Sequence, residues 1–128
     1  MSSPKIRLFR LDREKVMAEL REYAKKTVEK GALAVILIGS LARGNYTAYS
    51  DADIVIITKE SHERPMDRAA KYMEPKASID IEPRVYTIKE IREMIRNRAR
   101  TVREIAEHGI LLEGDEKIIE KIKRAHPI

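Results

Sequence analysis

Two carboxylates, spaced two residues apart, stand at the start of an apolar run in the middle of this chain. Asp51 and Asp53 lead into residues 54–57, which are all Ile or Val. On an extended strand, side chains two positions apart point to the same face, with Cα atoms about 6.6–6.8 Å apart. Like charges held together beside apolar residues are costly unless a cation compensates them. The pair therefore predicts a divalent metal site, and Mg²⁺ fits best because it combines carboxylate, water and phosphate ligands.

A second polar feature, the Gly39-Ser40 pair, ends the preceding apolar run of residues 33–38. A glycine at the end of a strand lets the backbone approach a ligand closely, and we expect Ser40 to cap a short helix that begins there. The N–H groups at a helix start attract phosphate, and the Ser40 hydroxyl can donate a hydrogen bond as well. Together with the two carboxylates, this pair would hold a metal-bound polyphosphate.

Each feature alone is common in ordinary turns, so the prediction depends on their combination. A Gly-Ser pair after a strand is usually only a turn, and an Asp-x-Asp at a strand start is often a solvated edge. Here both flank apolar runs that are rich in Val and Ile and bounded by Gly and Asp. Such runs favour strands in the interior of a sheet over short buried helices.

The combined pattern resembles a known signature. The residues IGS at 38–40, ten intervening residues and DADI at 51–54 resemble the motif of the DNA polymerase beta-like nucleotidyltransferase superfamily. The longer string GSLARGNYTAYSDADIVII is similar to the minimal nucleotidyltransferases of archaea and bacteria, which show Gly-Ser-x-Ala-Arg-Gly and then Ser-Asp-x-Asp. Ala52 departs from this pattern, because a larger apolar residue is more usual there. The resemblance extends over residues 33–114, although only these two motifs are highly specific.

The resemblance implies a polymerase beta palm-like fold and a Mg²⁺-dependent transfer reaction. A nucleoside monophosphate, which we take to be AMP, would pass from an NTP, for which we expect ATP, to an acceptor hydroxyl with release of pyrophosphate. Two Mg²⁺ ions would be bound, with Asp51 and Asp53 among their ligands. The nucleotide would be held by four residues of the signature, of which Arg43 adds positive charge near the triphosphate: Gly39, Ser40, Arg43 and Ser50.

A third carboxylate is expected from residues 78–86, SIDIEPRVY, in which two isoleucines alternate with Asp80 and Glu82. This alternation predicts a strand with one buried face, and Pro83 favours an edge strand or a bulge. In the resembled family, an acid on such a strand completes a catalytic triad, and it can accept the proton of the attacking hydroxyl. Asp80 stands between two apolar residues, whereas Glu82 lies at a family-like distance before Thr87. We favour Asp80 as base and metal ligand and keep Glu82 as the alternative.

The remaining pattern predicts an α/β fold in which helices cover a small mixed sheet. The strands are expected at residues 33–38, 54–57, 78–86 and 110–113. Helical periodicity predicts a helix over 12–30 with Asp12 as N-cap, and a second over 66–76 with Met66 and Met73 facing inward.

Capping signals locate the later helices. Thr87 and Glu90 form a capping box that starts a helix at residue 88, which either continues to His108 or breaks near Asn97. Gly109 is expected to end this segment in the left-handed conformation. A last helix would follow Asp115 and extend to residue 125.

Bulk composition narrows the class of protein. The chain has 128 residues, a net charge of +5 and a pI near 9.5, so we expect one domain over residues 1–128 with a mild preference for anionic ligands. The absence of Cys excludes a disulfide framework and a thiolate metal site. No apolar segment is long enough for a signal peptide or a membrane span, so we expect a cytoplasmic protein without membrane contact.

The acceptor and the partner are less well defined by the sequence. A chain this short has no room for a separate acceptor-binding domain, and the resembled minimal nucleotidyltransferases often pair, as antitoxins, with helical HEPN-type toxins, to which some add AMP. The protein could therefore be a binding or antitoxin subunit with weak turnover alone. Five arginines between Arg92 and Arg103 could bind a triphosphate, an acidic protein or RNA, or form a solvated face paired with neighbouring glutamates. Nucleic acid is the weakest of these candidates, because no aromatic-rich basic surface is evident.

Overall fold

The computed structural model describes residues 4–47 and 50–125, with side chains from Arg13 onward. The described residues form six helices and four strands. The helices are α1 Pro4–Glu29, α2 Gly39–Arg43, α3 Pro65–Ala70, α4 Ile88–Arg96, α5 Arg100–His108 and α6 Glu116–Ala125. The strands are β1 Ala34–Ile38, β2 Ala52–Thr58, β3 Ile81–Thr87 and β4 Ile110–Gly114.

The four strands form one mixed sheet in the order β3-β2-β1-β4. Strand β1 pairs antiparallel with both β2 and β4. Strands β2 and β3 are parallel, and the crossover that joins them contains α3. The central strands β1 and β2 are almost entirely buried, as expected for apolar strands covered on both faces. This architecture confirms the predicted α/β fold, and β3 is an edge strand, as Pro83 indicated.

Alternate residues of the sheet face two separate cores. Side chains of one face, including Leu37, Ile54 and Ile56, pack with buried residues of α1. Side chains of the other face, including Ile36, Val55 and Ile57, pack with α4, α5 and α6. Because Asp53 is two residues before Val55, its side chain belongs to the face that α4, α5 and α6 cover.

Several element boundaries differ from the prediction. Helix α1 begins at Pro4, so the backbone at Asp12 lies inside the helix and not at its N-cap. Strand β2 begins at Ala52, two residues earlier than expected, because Ala52 pairs with Ile81 of β3. Local periodicity does not report such pairing between strands that are distant in sequence.

The prediction for residues 66–76 was wrong in both length and orientation. Helix α3 ends at Ala70, and Met66 and Met73 are 85% and 56% exposed, respectively. Arg68 and Tyr72 are buried in this segment instead. The Arg68 guanidinium donates hydrogen bonds to the carbonyl oxygens of Glu63 and Val85 and, at 2.6 Å, to Glu90 Oε1. These partners make the burial of a charged side chain possible, and none of them is visible in the helical pattern.

The segment from 88 to 108 forms two helices rather than one. The capping box is confirmed: Thr87 Oγ1 accepts the Glu90 N–H, and the Glu90 carboxylate accepts the Thr87 N–H. The break lies at residues 97–99, where Arg98 has a positive φ of 54°. Gly109 is extended, with φ −60° and ψ 137°, so its predicted left-handed conformation is wrong. Strand β4 starts at the next residue, and an extended backbone leads directly into it.

The start of α6 agrees with the expectation, because the Asp115 carboxylate accepts the Lys117 N–H at 3.0 Å. Among the helices of residues 4–47 and 50–125, none combines the length and apolar character that crossing a membrane requires.

We predict that Glu90→Gln lowers the free energy of unfolding at neutral pH by about 1 kcal/mol, a charge-assisted hydrogen-bond contribution reduced by partial exposure. Burial would raise the pKa of Glu90, but hydrogen bonds from Arg68 and Thr87, together with the Arg68 charge, hold this pKa below its ordinary value of 4.5. The stabilisation is therefore present above that ordinary value and is lost as pH falls through the lowered pKa. Urea unfolding across this pH range should show the difference from wild type shrinking under acid conditions.

The matched control is Glu93→Gln, which removes one charge from an exposed position on the same helix. It should change stability little at any pH. Equal losses in the two variants would contradict the role assigned to the contact between Arg68 and Glu90.

Candidate active site

The Gly-Ser and Asp-x-Asp motifs meet in direct contact between Gly39 and Asp53. Antiparallel pairing places Asp53 opposite Ile38, the residue before Gly39. Gly39 has a positive φ of 80°, and a Cβ atom there would lie 3.2 Å from both Cβ and Cγ of Asp53, with the carboxylate Oδ2 closer still. Position 39 therefore requires glycine for two reasons: the positive φ of the backbone, and the Asp53 side chain, which fills the space that a Cβ would need.

Helix α2 starts at Gly39, but Ser40 does not cap it. The N-cap position belongs to Ile38, and no side chain caps the helix, so the predicted capping role of Ser40 is wrong. Ser40 is half-buried in the first turn, and Gly44, with φ 88°, ends the helix in the left-handed conformation. The Ser40 hydroxyl therefore stands at the start of α2, immediately after the glycine that contacts Asp53.

The third carboxylate beside the aspartates is Glu82, because of the parallel register between β2 and β3. Asp53 lies directly opposite Glu82, while Asp80 lies outside β3 and its backbone carbonyl accepts the Ala52 N–H at 2.8 Å. This register favours Glu82 over Asp80 as the third acid, whereas the sequence alone favoured Asp80. Asp80 is exposed one step beyond the strand, and the catalytic role of either acid stays a prediction.

The three acids Asp51, Asp53 and Glu82 form one electrostatically coupled group, which we call the carboxylate site. The pKa of Glu82 is raised above its ordinary value of 4.5, first by partial desolvation and then by the negative charges of Asp51 and Asp53. Hydrogen bonding of the Glu82 carboxyl to both aspartates adds to this shift. The site thus concentrates negative charge that a bound cation would relieve.

One cation, Arg84, already lies beside the carboxylate site. Its Nη2 is 3.9 Å from Asp53 Oδ1, with the side chains of Arg84 and Asp53 47% and 28% exposed. The sequence reasoning missed Arg84. Its signal was the same alternation that predicted the strand, because Glu82 and Arg84 are two residues apart and so share a face.

Two other predicted residues have different neighbours. Arg43 forms an ion pair with Glu104 of α5, which links α2 to that helix. The Ser50 hydroxyl, one residue before Asp51, accepts the Thr47 N–H at 2.8 Å. The structure brings Gly39, Ser40 and the three acids together, whereas Arg43 and Ser50 support the elements around them.

The donor set fits a hard divalent cation, although its side chains are not arranged as a closed metal cage. Within residues 4–47 and 50–125, no group of three or more His, Cys, Asp or Glu side chains is positioned to hold a metal ion. Mg²⁺ needs only one or two carboxylates when water and substrate phosphates supply its other ligands. The negative charge of the three acids, partly offset by the guanidinium beside Asp53, favours such a cation.

Comparison with known families identifies the class of protein. A family model described as nucleotidyltransferase domain matches residues 17–112. Because this match spans most of the chain, the protein belongs to the nucleotidyltransferase domain family, whose class is that of transferases. The predicted resemblance is confirmed. No curated protein matches the chain significantly.

Solved structures agree with this fold. A candidate nucleotidyltransferase from Sulfolobus solfataricus is 18% identical, with a TM-score of 0.58 and coverage of 91% of this chain and 93% of its own. A chain from a toxin–antitoxin complex with AMP-PNP is 18% identical, with a TM-score of 0.53 and coverage of 90% and 84%. A chain of the toxin–antitoxin MntA–HepT is 13% identical, with a TM-score of 0.52 and coverage of 88% and 82%. At these identities the likeness shows the fold alone.

We predict that Gly39→Ala destabilises the protein more than Gly44→Ala does. Both glycines have similar positive φ values, and each variant should lose about 1–2 kcal/mol from that strain. At Gly39, unlike Gly44, an added Cβ would also displace the Asp53 side chain. The Gly39 variant should therefore lose a further 1–3 kcal/mol, roughly the cost of overpacking. Denaturant unfolding measures both losses.

The Gly44 variant is the matched control, because nothing lies within 4 Å of its added Cβ. Equal destabilisation of the two variants would show that the contact between Gly39 and Asp53 is unimportant for stability.

Proposed function

We propose that this protein is a Mg²⁺-dependent nucleotidyltransferase that transfers AMP from ATP to an acceptor hydroxyl and releases pyrophosphate. The observation that carries the proposal is the position of Asp53, which contacts Gly39 on one side and lies opposite Glu82 on the other. This one residue joins the phosphate-binding motif to the third acid. Membership of the nucleotidyltransferase domain family supports the transferase class.

The carboxylates would provide the metal ligands. Asp51 and Asp53 would hold one Mg²⁺ ion, and Glu82 would complete the ligands of a second. Bound Mg²⁺ would supply charge neutralisation for the triphosphate and for the departing pyrophosphate. Without that cation, the three acids repel one another and the polyphosphate as well.

Glu82 is also the proposed base. The acceptor oxygen attacks the α-phosphorus, the bond from that phosphorus to the bridging oxygen of pyrophosphate breaks, and the acceptor proton passes to the Glu82 carboxylate. A positioned carboxylate within reach of the acceptor hydroxyl can serve as a general base. Asp80 remains the alternative, and it would need a shift of the strand end to reach the aspartates.

The phosphates are assigned to the start of α2. The backbone N–H groups at Gly39 and Ser40 and the Ser40 hydroxyl would donate to the β and γ phosphates. Arg43 can contribute only by leaving its ion pair with Glu104. The role of Ser50 would be indirect, through its hydrogen bond to Thr47 in the segment before Asp51.

We predict that Asp51→Asn and Asp53→Asn each reduce Mg²⁺-dependent transfer by more than about 100-fold, since even outer-shell partners of a metal ligand are typically worth about 10- to 100-fold. The assay follows α-phosphate-labelled ATP into acceptor-bound product, using a cell extract as the acceptor source. A parallel reaction with γ-phosphate-labelled ATP should leave the product unlabelled, which distinguishes nucleotidyl transfer from kinase activity. Undiminished transfer in both variants would disprove the assignment.

The same assay distinguishes the two candidate bases. Glu82→Gln should lose activity to a similar degree as the aspartate variants, and Asp80→Asn should stay within about threefold of wild type, as expected for an exposed side chain outside the metal ligands. The reverse order would restore Asp80 as the third acid.

A second candidate function concerns a protein partner. Two of the solved structures similar to this chain are toxin–antitoxin complexes, one of them with AMP-PNP. We therefore propose that a helical HEPN-type protein is the partner and that its hydroxyl is the acceptor for AMP. Nucleic acid stays a weaker candidate for the same position.

We predict that a HEPN-type protein encoded beside this chain co-purifies with it and gains the mass of AMP when ATP and Mg²⁺ are present. Intact mass spectrometry measures the modification, and size-exclusion chromatography measures the complex. Asp53→Asn should keep the complex and lose the mass gain. Stable binding without modification in the wild type would favour a pure binding subunit.

A further inference from the structure

We propose that Arg84 is an internal counter-cation of the carboxylate site, which neutralises Asp53 until a divalent ion displaces its guanidinium. The inference rests on the proposed metal-dependent function and adds to it a residue that controls metal affinity. It depends on three observations: the placement of Arg84 in β3, the lack of another ion pair to the site among the described Lys and Arg residues, and the weakness of the contact.

The placement follows from the alternation of strand β3. Ile81, Pro83 and Val85 point inward and are buried, whereas Glu82 and Arg84 are exposed on the opposite face. In the parallel register, Glu82 lies opposite Asp53 and Arg84 lies opposite Val55, two residues further along the strands. The long Arg84 side chain therefore reaches back along the strand to Asp53, where Nη2 and Oδ1 are 3.9 Å apart.

Other arginines near the sheet are engaged elsewhere. Arg43 is paired with Glu104, and Arg68 is held by Glu90 and two backbone carbonyls. In the part of the chain that the structure describes, Arg84 is the only Lys or Arg that forms an ion pair with one of the three acids. Among the residues that the structure describes, the site therefore has one ion-paired cation, Arg84.

The contact is weak enough to be displaced. It is long for an ion pair, and both side chains are partly exposed to solvent, which screens their attraction. A divalent ion carries twice the charge and binds carboxylate oxygens at about 2.0–2.1 Å. Arginine does not lose its proton in proteins, so the guanidinium leaves Asp53 by displacement and not by titration.

This arrangement would keep the affinity of the site for free Mg²⁺ low. A metal ion that arrives alone must displace Arg84, whereas one that arrives with a triphosphate gains phosphate ligands as well. Arg84 is therefore a positioning residue that favours joint binding of metal and nucleotide.

The test measures Mn²⁺ binding without nucleotide, by electron paramagnetic resonance of the free ion. Arg84→Gln should bind Mn²⁺ about three- to tenfold more tightly than wild type, which corresponds to the loss of one screened unit charge near 4 Å. Arg84→Lys should restore a dissociation constant close to that of wild type. The matched control is Arg21→Gln, which removes the same charge from the exposed face of α1, the helix on the other side of the sheet. It should change the constant by less than about twofold, because solvent screens distant charges.

A second measurement needs no metal. In EDTA, introducing Arg84→Gln into the wild-type protein should lower the melting temperature. Introducing it into the Asp53→Asn variant should not, because the partner of Arg84 is already gone. Equal effects in the two backgrounds would overturn the pairing.

The two hypotheses fail in different ways. If Mn²⁺ binds wild type and Asp53→Asn equally, the proposed metal function fails, and with it the claim that Arg84 controls metal affinity. The melting temperatures in EDTA would then be the remaining test of the contact between Arg84 and Asp53. If Mn²⁺ binding requires Asp53 but Arg84→Gln binds no more tightly than wild type, the metal function stands and the role of Arg84 is overturned.

Discussion

The contact between the Asp53 carboxylate and Gly39 is the constraint on which the rest of the site depends. It exists because β1 and β2 pair antiparallel with Ile38 opposite Asp53. Any side chain at position 39 would collide with Asp53, and the positive φ of Gly39 turns the chain directly into α2. A small shift in this pairing would separate the start of α2 from the carboxylates. The buried apolar residues of β1 and β2 therefore position the site as much as its polar residues do.

The parallel pairing of β2 with β3 adds the electrostatic part of the site. It brings Glu82 beside two aspartates, where partial desolvation and then the negative charges of Asp51 and Asp53 raise the pKa of Glu82. Among the described residues, one guanidinium, that of Arg84, forms an ion pair with the site, through a long and partly solvated contact. Such an excess of negative charge costs stability and is typical of a functional site, where a ligand completes the balance of charge.

Two ion pairs outside the site connect the helices and the strand that surround it. Arg68 connects α3 to the Val85 carbonyl of β3 and to Glu90 of α4, so it ties the crossover to the edge strand that carries Glu82. Arg43 connects α2 to α5 through Glu104. A buried arginine of this kind is destabilising unless all of its neighbours are present. The register of β3 and the position of α2 are thus coupled to helices on one side of the sheet.

The sequence by itself determined the two motifs, the α/β class, the capping box at Thr87 and Glu90, and the edge position of β3. Each of these has a local signal: fixed spacing, alternating hydrophobicity, or a residue with restricted backbone conformations. Only the tertiary structure placed Glu82, and not Asp80, opposite Asp53, gave Arg43 and Arg84 their partners, and left Met66 and Met73 exposed. The physical reason is that strand register and ion pairing depend on residues far apart in the chain, and a one-step change of register exchanges which side chains meet.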